Sequence, residues 1–150
     1  MAKKSLKNLM ILVLSVLLVA GAVVTGGCVG KAQIVETITP QEAFSLIQEN
    51  QDNPDFVIID LRWSEAFAYE HIENAINIYY FSETFQDELS QLDKDKTYLI
   101  YCTCPTCSGI DGRTLNMMAE LNFSEVYKMS GGCIRWKLEG FPAVGEGANQ

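Results

Sequence analysis

Two uninterrupted apolar runs dominate the hydrophobic pattern beyond residue 30. Phe56-Val-Ile-Ile-Asp-Leu61 ends in an acid, and Tyr98-Leu-Ile-Tyr101 leads into Cys102. Runs of this length without alternation suit strands buried on both faces of a parallel sheet. Around them the period becomes helical. Ala43, Phe44, Leu46 and Ile47 follow Thr39-Pro-Gln-Glu42, a capping box with proline at the first helical position. A short helix is expected over 64–69, another around Phe85, Leu89 and Leu92, and a third over 114–121, with Asn122 in the left-handed position after it. A fourth runs from Gly132 to Glu139 and is closed by Gly140. Short strands are expected over 75–78 and 125–128, and Asn50-Gln-Asp-Asn-Pro54 reads as a turn. Strands alternating with helices predict an α/β fold with a mainly parallel sheet.

The first 28 residues follow a different pattern. Lys3, Lys4 and Lys7 precede an apolar run from Leu9 to Val24, and Thr25-Gly-Gly-Cys28 follows. A basic start, a short apolar stretch and small residues before a cut predict a secretory signal. Cys28 after two glycines resembles a bacterial lipobox. That resemblance implies cleavage before Cys28 and a lipid on its sulfur. The expected organisation is a lipoprotein signal peptide over 1–28, a tether over 29–38, one domain over 39–145 and a tail over 146–150. The expected location is the extracytoplasmic face of a cell membrane, held by the lipid.

Charge narrows the partners. Three of the eleven Lys and Arg lie before Cys28 and all nineteen Asp and Glu after it, so the remainder carries −11. Such acidity argues against nucleic acid. An anionic substrate then needs a local positive site.

Candidate chemistry concentrates in Tyr101-Cys-Thr-Cys-Pro-Thr-Cys-Ser-Gly-Ile-Asp-Gly-Arg113. Three of the five cysteines fall between a strand and a helix. The N–H groups and dipole of that helix favour thiolate over thiol and bind anions. Cys102 stands at the strand end and is the expected nucleophile. Cys107, with five residues between it and Arg113, is the alternative. Arg113 is the expected anion-binding residue, and Asp111 a helix cap. Cys104-Pro-Thr-Cys107 is a C-x-x-C that permits a reducible disulfide. Cys102, Cys104, Cys107 and Cys133 are also numerous enough for a thiolate metal site, although no metal or other cofactor is expected. His71 is the only histidine, so no Cys–His hydrolase is supported.

Several motifs in order resemble the rhodanese-like sulfurtransferase family. They are Asp60-Leu-Arg62, Ser64-Glu-Ala-Phe67, His71-Ile-Glu-Asn-Ala-Ile-Asn-Ile78, Tyr98-Leu-Ile-Tyr-Cys102, Leu121-Asn-Phe123, and Gly131-Gly-Cys-Ile-Arg-Trp136 with Gly140-Phe-Pro142. The resemblance implies a single rhodanese-like domain with a parallel central sheet and helices on both faces. It implies that Cys102 takes a sulfane sulfur from a small anion, becomes a persulfide, and passes the sulfur to a thiol. Asp60 and Arg62 would order the active loop or fix its corner, and His71 would be structural. Cys104, Cys107 or Cys133 is the candidate resolving thiol. The expected partners are a small sulfur-containing anion or thiol acceptor and the membrane, through the lipid, and the protein is read as a monomer; thiol–disulfide redox chemistry and a non-catalytic binding module are the alternative functions. Glu70 and Asn74 stand where the pattern has glycines. Ten residues separate Cys102 from Arg113, where the pattern has four.

Overall fold

The computed structural model describes residues 33–102 and 109–148. Five strands form one sheet in the order β1-β5-β4-β2-β3, every neighbouring pair parallel. The strands are β1 (Ile34–Ile38), β2 (Phe56–Asp60), β3 (Ala75–Asn77), β4 (Thr97–Tyr101) and β5 (Glu125–Met129). The helices between them are α1 (Pro40–Glu49), α2 (Ser64–Tyr69), α3 (Phe85–Gln91), α4 (Ile110–Glu120) and α5 (Gly132–Leu138).

Strand β1 lies inside the stretch expected to be a tether. It pairs with β5 over five register positions, from Ile34 opposite Glu125 to Ile38 opposite Met129. Its residues are exposed except Ile38, so it carries no apolar run to announce it. The Gln33 side-chain amide donates to the carbonyls of Ala119 at 3.0 Å and Phe123 at 2.7 Å. The expected tail begins differently as well. Glu146 and Gly147 donate to the carbonyls of Ala68 and Tyr69, and Val144 bridges His71.

Local rules explain the helix ends. Thr39 and Glu42 form the capping box, with Glu42 Oε2 2.8 Å from the Thr39 N–H. Asn122 has φ 63° and Asn74 φ 64°, the left-handed region that asparagine tolerates better than most residues. Asn74 thereby supports the turn for which the family pattern uses glycine.

The sheet divides the core into two layers. On one face Ile59, Ile100 and Cys102 pack with Phe85 and Leu89 of α3 and Leu115 and Met118 of α4. On the other, Ile58, Leu99 and Tyr101 pack with Ala43 of α1 and Cys133 and Trp136 of α5. Alternation along β4 puts Tyr101 and Cys102 in opposite layers. Trp136 is 1% exposed, stacks near Phe44 and Phe141, and donates Nε1–H to the Pro142 carbonyl at 2.8 Å.

Candidate active site

All five strands point the same way, so their C-terminal ends meet at one edge, where open α/β sheets bind ligands. Cys102 leaves central strand β4 at that edge. The Leu61 N–H donates to the Tyr101 carbonyl at 3.0 Å and fixes the backbone just before the thiol. Cys102 is 6% exposed, and both Cys102 and Cys133 carry thiols.

Helix α4 begins at Ile110, four residues before the expected start. Its N-cap is Gly109 at φ 86°, with no side-chain cap. Asp111 therefore is not the cap. It sits in the first turn, where Oδ1 accepts from the Gly112 N–H at 2.8 Å and Oδ2 lies 3.8 Å from Lys128 Nζ. Arg113 is also in this first part of the helix, its N–H donating to the Gly109 carbonyl at 2.9 Å. It is exposed, and its guanidinium makes no ion pair with a described residue. The sequence pattern misplaced this start because the glycine conformation at 109, rather than a polar cap, sets it.

Asp60 and Arg62 form a buried pair at the exit of β2. Arg62 Nε lies 3.0 Å from each Asp60 carboxylate oxygen and Nη2 lies 2.6 Å from Oδ2. The Arg62 N–H also donates to Asp60 Oδ1 at 2.9 Å, and Nη2 donates to the Glu70 carbonyl at 2.5 Å. These bonds fix the corner between β2 and α2. Burial opposes the Arg62 charge, but the hydrogen bonds and charge of Asp60 prevail and raise its pKa above the ordinary guanidinium value.

Tyr101 was not singled out by sequence, although it directly precedes Cys102. It is fully buried, and its hydroxyl accepts from the Ile72 N–H at 3.1 Å. Burial, followed by the Asp60 charge, pushes its phenol far above the usual range. Glu70 was visible only as a departure from the glycine pattern. It is 4% exposed. Lys137 Nζ approaches its Oε2 at 2.5 Å, and Cys133 Sγ donates to Oε1 at 3.6 Å. Burial pushes the Cys133 thiol up to about 11; Arg62 opposes this, and Glu70 and Asp60 add to it.

The structure brings Asp60, Arg62, Glu70, Tyr101 and Cys133 into one polar cluster. It does not join Cys133 with Cys102, which packs in the other layer. Cys28, Cys104 and Cys107 lie outside the described residues. Among the described residues no three His, Cys, Asp or Glu side chains gather as a metal set. His71 is structural: Nδ1 meets the Phe67 carbonyl at 2.7 Å and its ring stacks on Phe67 with centroids 3.9 Å apart.

A family model of the rhodanese-like domain matches residues 43–139. The thiosulfate sulfurtransferase GlpE of Coxiella burnetii is 32% identical over 101 residues, covering 67% of this chain and 85% of that protein. The tRNA uridine(34) hydroxylase of Photorhabdus laumondii is 29% identical over 133 residues, covering 76% of this chain but 35% of that longer protein. The polysulfide-sulfur transferase homodimer of Wolinella succinogenes has a TM-score of 0.56 at 26% identity, over 77% of this chain and 82% of that one. BH2092 of Bacillus halodurans reaches a TM-score of 0.62 at 23% identity, covering 77% and 80%, a likeness of fold. The family match runs from the first helix to the last and includes the strand that carries Cys102, so the chain belongs to the rhodanese-like domain family.

Proposed function

We propose that this protein is an extracytoplasmic, membrane-tethered sulfurtransferase in which Cys102 carries the sulfur. The observation that carries the reading is a Cys102 thiol at the exit of the central parallel strand, next in chain order to a helix whose N-terminus has no side-chain cap. Such a helix end stabilises negative charge.

In the first half-reaction the Cys102 thiolate attacks the outer sulfur of thiosulfate. A new S–S bond forms at Cys102, the S–S bond of the donor breaks, and sulfite leaves with the electron pair. The persulfide retains the single negative charge. Arg113 and the start of α4 offset that charge. In the second half-reaction an acceptor thiolate attacks the outer sulfur. Cys102 leaves as thiolate, and the acceptor becomes the persulfide.

Cys107 is the competing nucleophile. Cys104 or Cys107 could instead attack the inner sulfur, forming a disulfide with Cys102 and releasing hydrosulfide. Cys133 is the weakest of the resolving candidates. It is buried in the opposite core layer, and its raised pKa keeps it a thiol at neutral pH.

Mass spectrometry after thiosulfate treatment tests the chemistry. One added sulfur on Cys102, absent in Cys102→Ser, is expected. A protein that gains no sulfur, or gains it undiminished in Cys102→Ser, overturns the assignment. The tether is tested by the mass of the mature N-terminus from cells. A lipid-modified Cys28 is expected; an intact leader with unmodified Cys28 overturns the lipoprotein reading.

A further inference from the structure

The strand exits beside Cys102 carry aromatic side chains that the core does not use. Hydrogen bonds link the exits in sequence. The Leu61 N–H donates to the Tyr101 carbonyl at 3.0 Å, and the Tyr80 N–H donates to the Leu61 carbonyl at 3.2 Å. Asn77 Nδ2 clamps the carbonyls of Asp60 and Arg62 at 3.0 and 2.7 Å. Trp63, just past the β2 exit, is 42% exposed, and Phe81, just past the β3 exit, is 63% exposed. Phe81 stands edge-on to Tyr80, with ring centroids 5.1 Å apart and planes at 89°. Tyr80 packs in turn on Phe85 at 5.0 Å.

A recess of about 300 Å³ opens beside Tyr80, the ring that Phe81 meets edge-on. Tyr80, Phe85 and Met117 give it an apolar floor, and Glu83 and Asp87 stand on its wall. Met117 belongs to α4, the helix that follows the cysteine loop. Trp63 and Phe81 are each followed by the same pair of residues, in Trp63-Ser-Glu65 and Phe81-Ser-Glu83. Glu65, Glu83 and Asp87 are exposed, and none has a cation partner among the described residues.

Exposed tryptophan and phenylalanine beside unpaired carboxylates are costly to leave in water and suit a protein contact. The charge repels a small sulfur anion approaching over this rim, but attracts a basic surface. We infer that the Trp63–Phe81 rim and its acidic recess dock a protein acceptor whose reactive cysteine is flanked by basic and apolar residues. This rests on the sulfurtransferase reading above and names its acceptor. The acceptor's Lys or Arg enters the Glu83–Asp87 recess while its apolar residues cover Trp63 and Phe81. Its thiolate then attacks the outer sulfur of the Cys102 persulfide, and Cys102 leaves as thiolate.

The probe is the peptide Lys-Leu-Cys-Arg-Leu-Lys, compared with Glu-Leu-Cys-Glu-Leu-Glu and with dithiothreitol as acceptors for the persulfidated protein. The basic peptide is expected to react at least tenfold faster than the acidic one at low salt, with the ratio falling as salt rises. That preference should collapse in Trp63→Ala/Phe81→Ala and in Glu83→Gln/Asp87→Asn, while the dithiothreitol rate holds. Equal rates for the two peptides, or a preference that survives in both double variants, overturns the inference. If the aromatic variant fails to fold, the surface pair Glu83→Gln/Asp87→Asn decides. If no persulfide forms, the sulfurtransferase reading fails, and docking is judged separately with the basic peptide carrying serine for cysteine. Saturable binding lost in the acidic-pair variant then supports the surface, and absence of binding overturns it.

Discussion

Cys133 Sγ donates to Glu70 Oε1 at 3.6 Å while Lys137 holds the other oxygen of the same carboxylate at 2.5 Å. The thiol is thus kept protonated beside a negative group. Its pKa rises from 9.0 to about 11, chiefly through burial. Because the folded value exceeds the unfolded one, the contribution to stability is complete below pH about 9 and is lost as pH rises through about 11. Cys133→Ala should flatten this part of the alkaline stability loss. Urea midpoints measured at half-unit pH steps check it, and an unchanged alkaline slope would show that the thiol does not contribute.

Arg62→Ala leaves Asp60 buried without its cation. Removing one member of such a pair costs about 3–5 kcal/mol. The variant should therefore lose much of the stability of a domain this size. Asp60→Asn/Arg62→Met, which removes both charges, should recover part of the loss. Chemical denaturation of the three proteins measures the coupling. A double variant no better than Arg62→Ala alone would mean that the stranded charge is not the cause.

Truncation at the expected domain boundary should be damaging. A protein starting at residue 39 lacks β1 and exposes the edge of β5, whereas one starting at residue 31 keeps both. Burial of Ile38 alone is worth about 2 kcal/mol. Thermal melting of the two proteins should show a higher midpoint for the longer one, by several degrees. Equal melting temperatures would make β1 dispensable.

Asp111 places a carboxylate in the first turn of α4, 3.8 Å from Lys128. Under the proposed mechanism that charge opposes an approaching thiosulfate, while favouring the helix itself by about 0.3–1 kcal/mol. Asp111→Asn should lower the KM for thiosulfate several-fold and slightly lower stability. Steady-state rates with thiosulfate check the sign; a raised KM would assign Asp111 a positioning role instead.

Much of this architecture is legible in short-range patterns. The runs through Ile59 and Ile100 announce strands buried on both faces, and Thr39 with Glu42 announces a helix start. Asn122 marks a left-handed stop. Strand β1 was illegible because an edge strand with only Ile38 buried shows neither a run nor alternation. The start of α4 was illegible because Gly109 turns the chain without leaving a polar cap. The position of Cys133 depends on which helix covers which face, a tertiary fact. The partnership of Glu70 with Lys137 and Cys133 joins positions 63 or more residues apart and has no local signature.

The early start of α4 changes what the long spacing between Cys102 and Arg113 means. Of the residues between them, 110–112 are helix, and only 103–108 bridge Cys102 to Gly109. Both borders of that bridge belong to the rigid scaffold, one through the Leu61–Tyr101 hydrogen bond and the other through buried Ile110. The departure in spacing is therefore confined to six positions between two fixed points of the described fold.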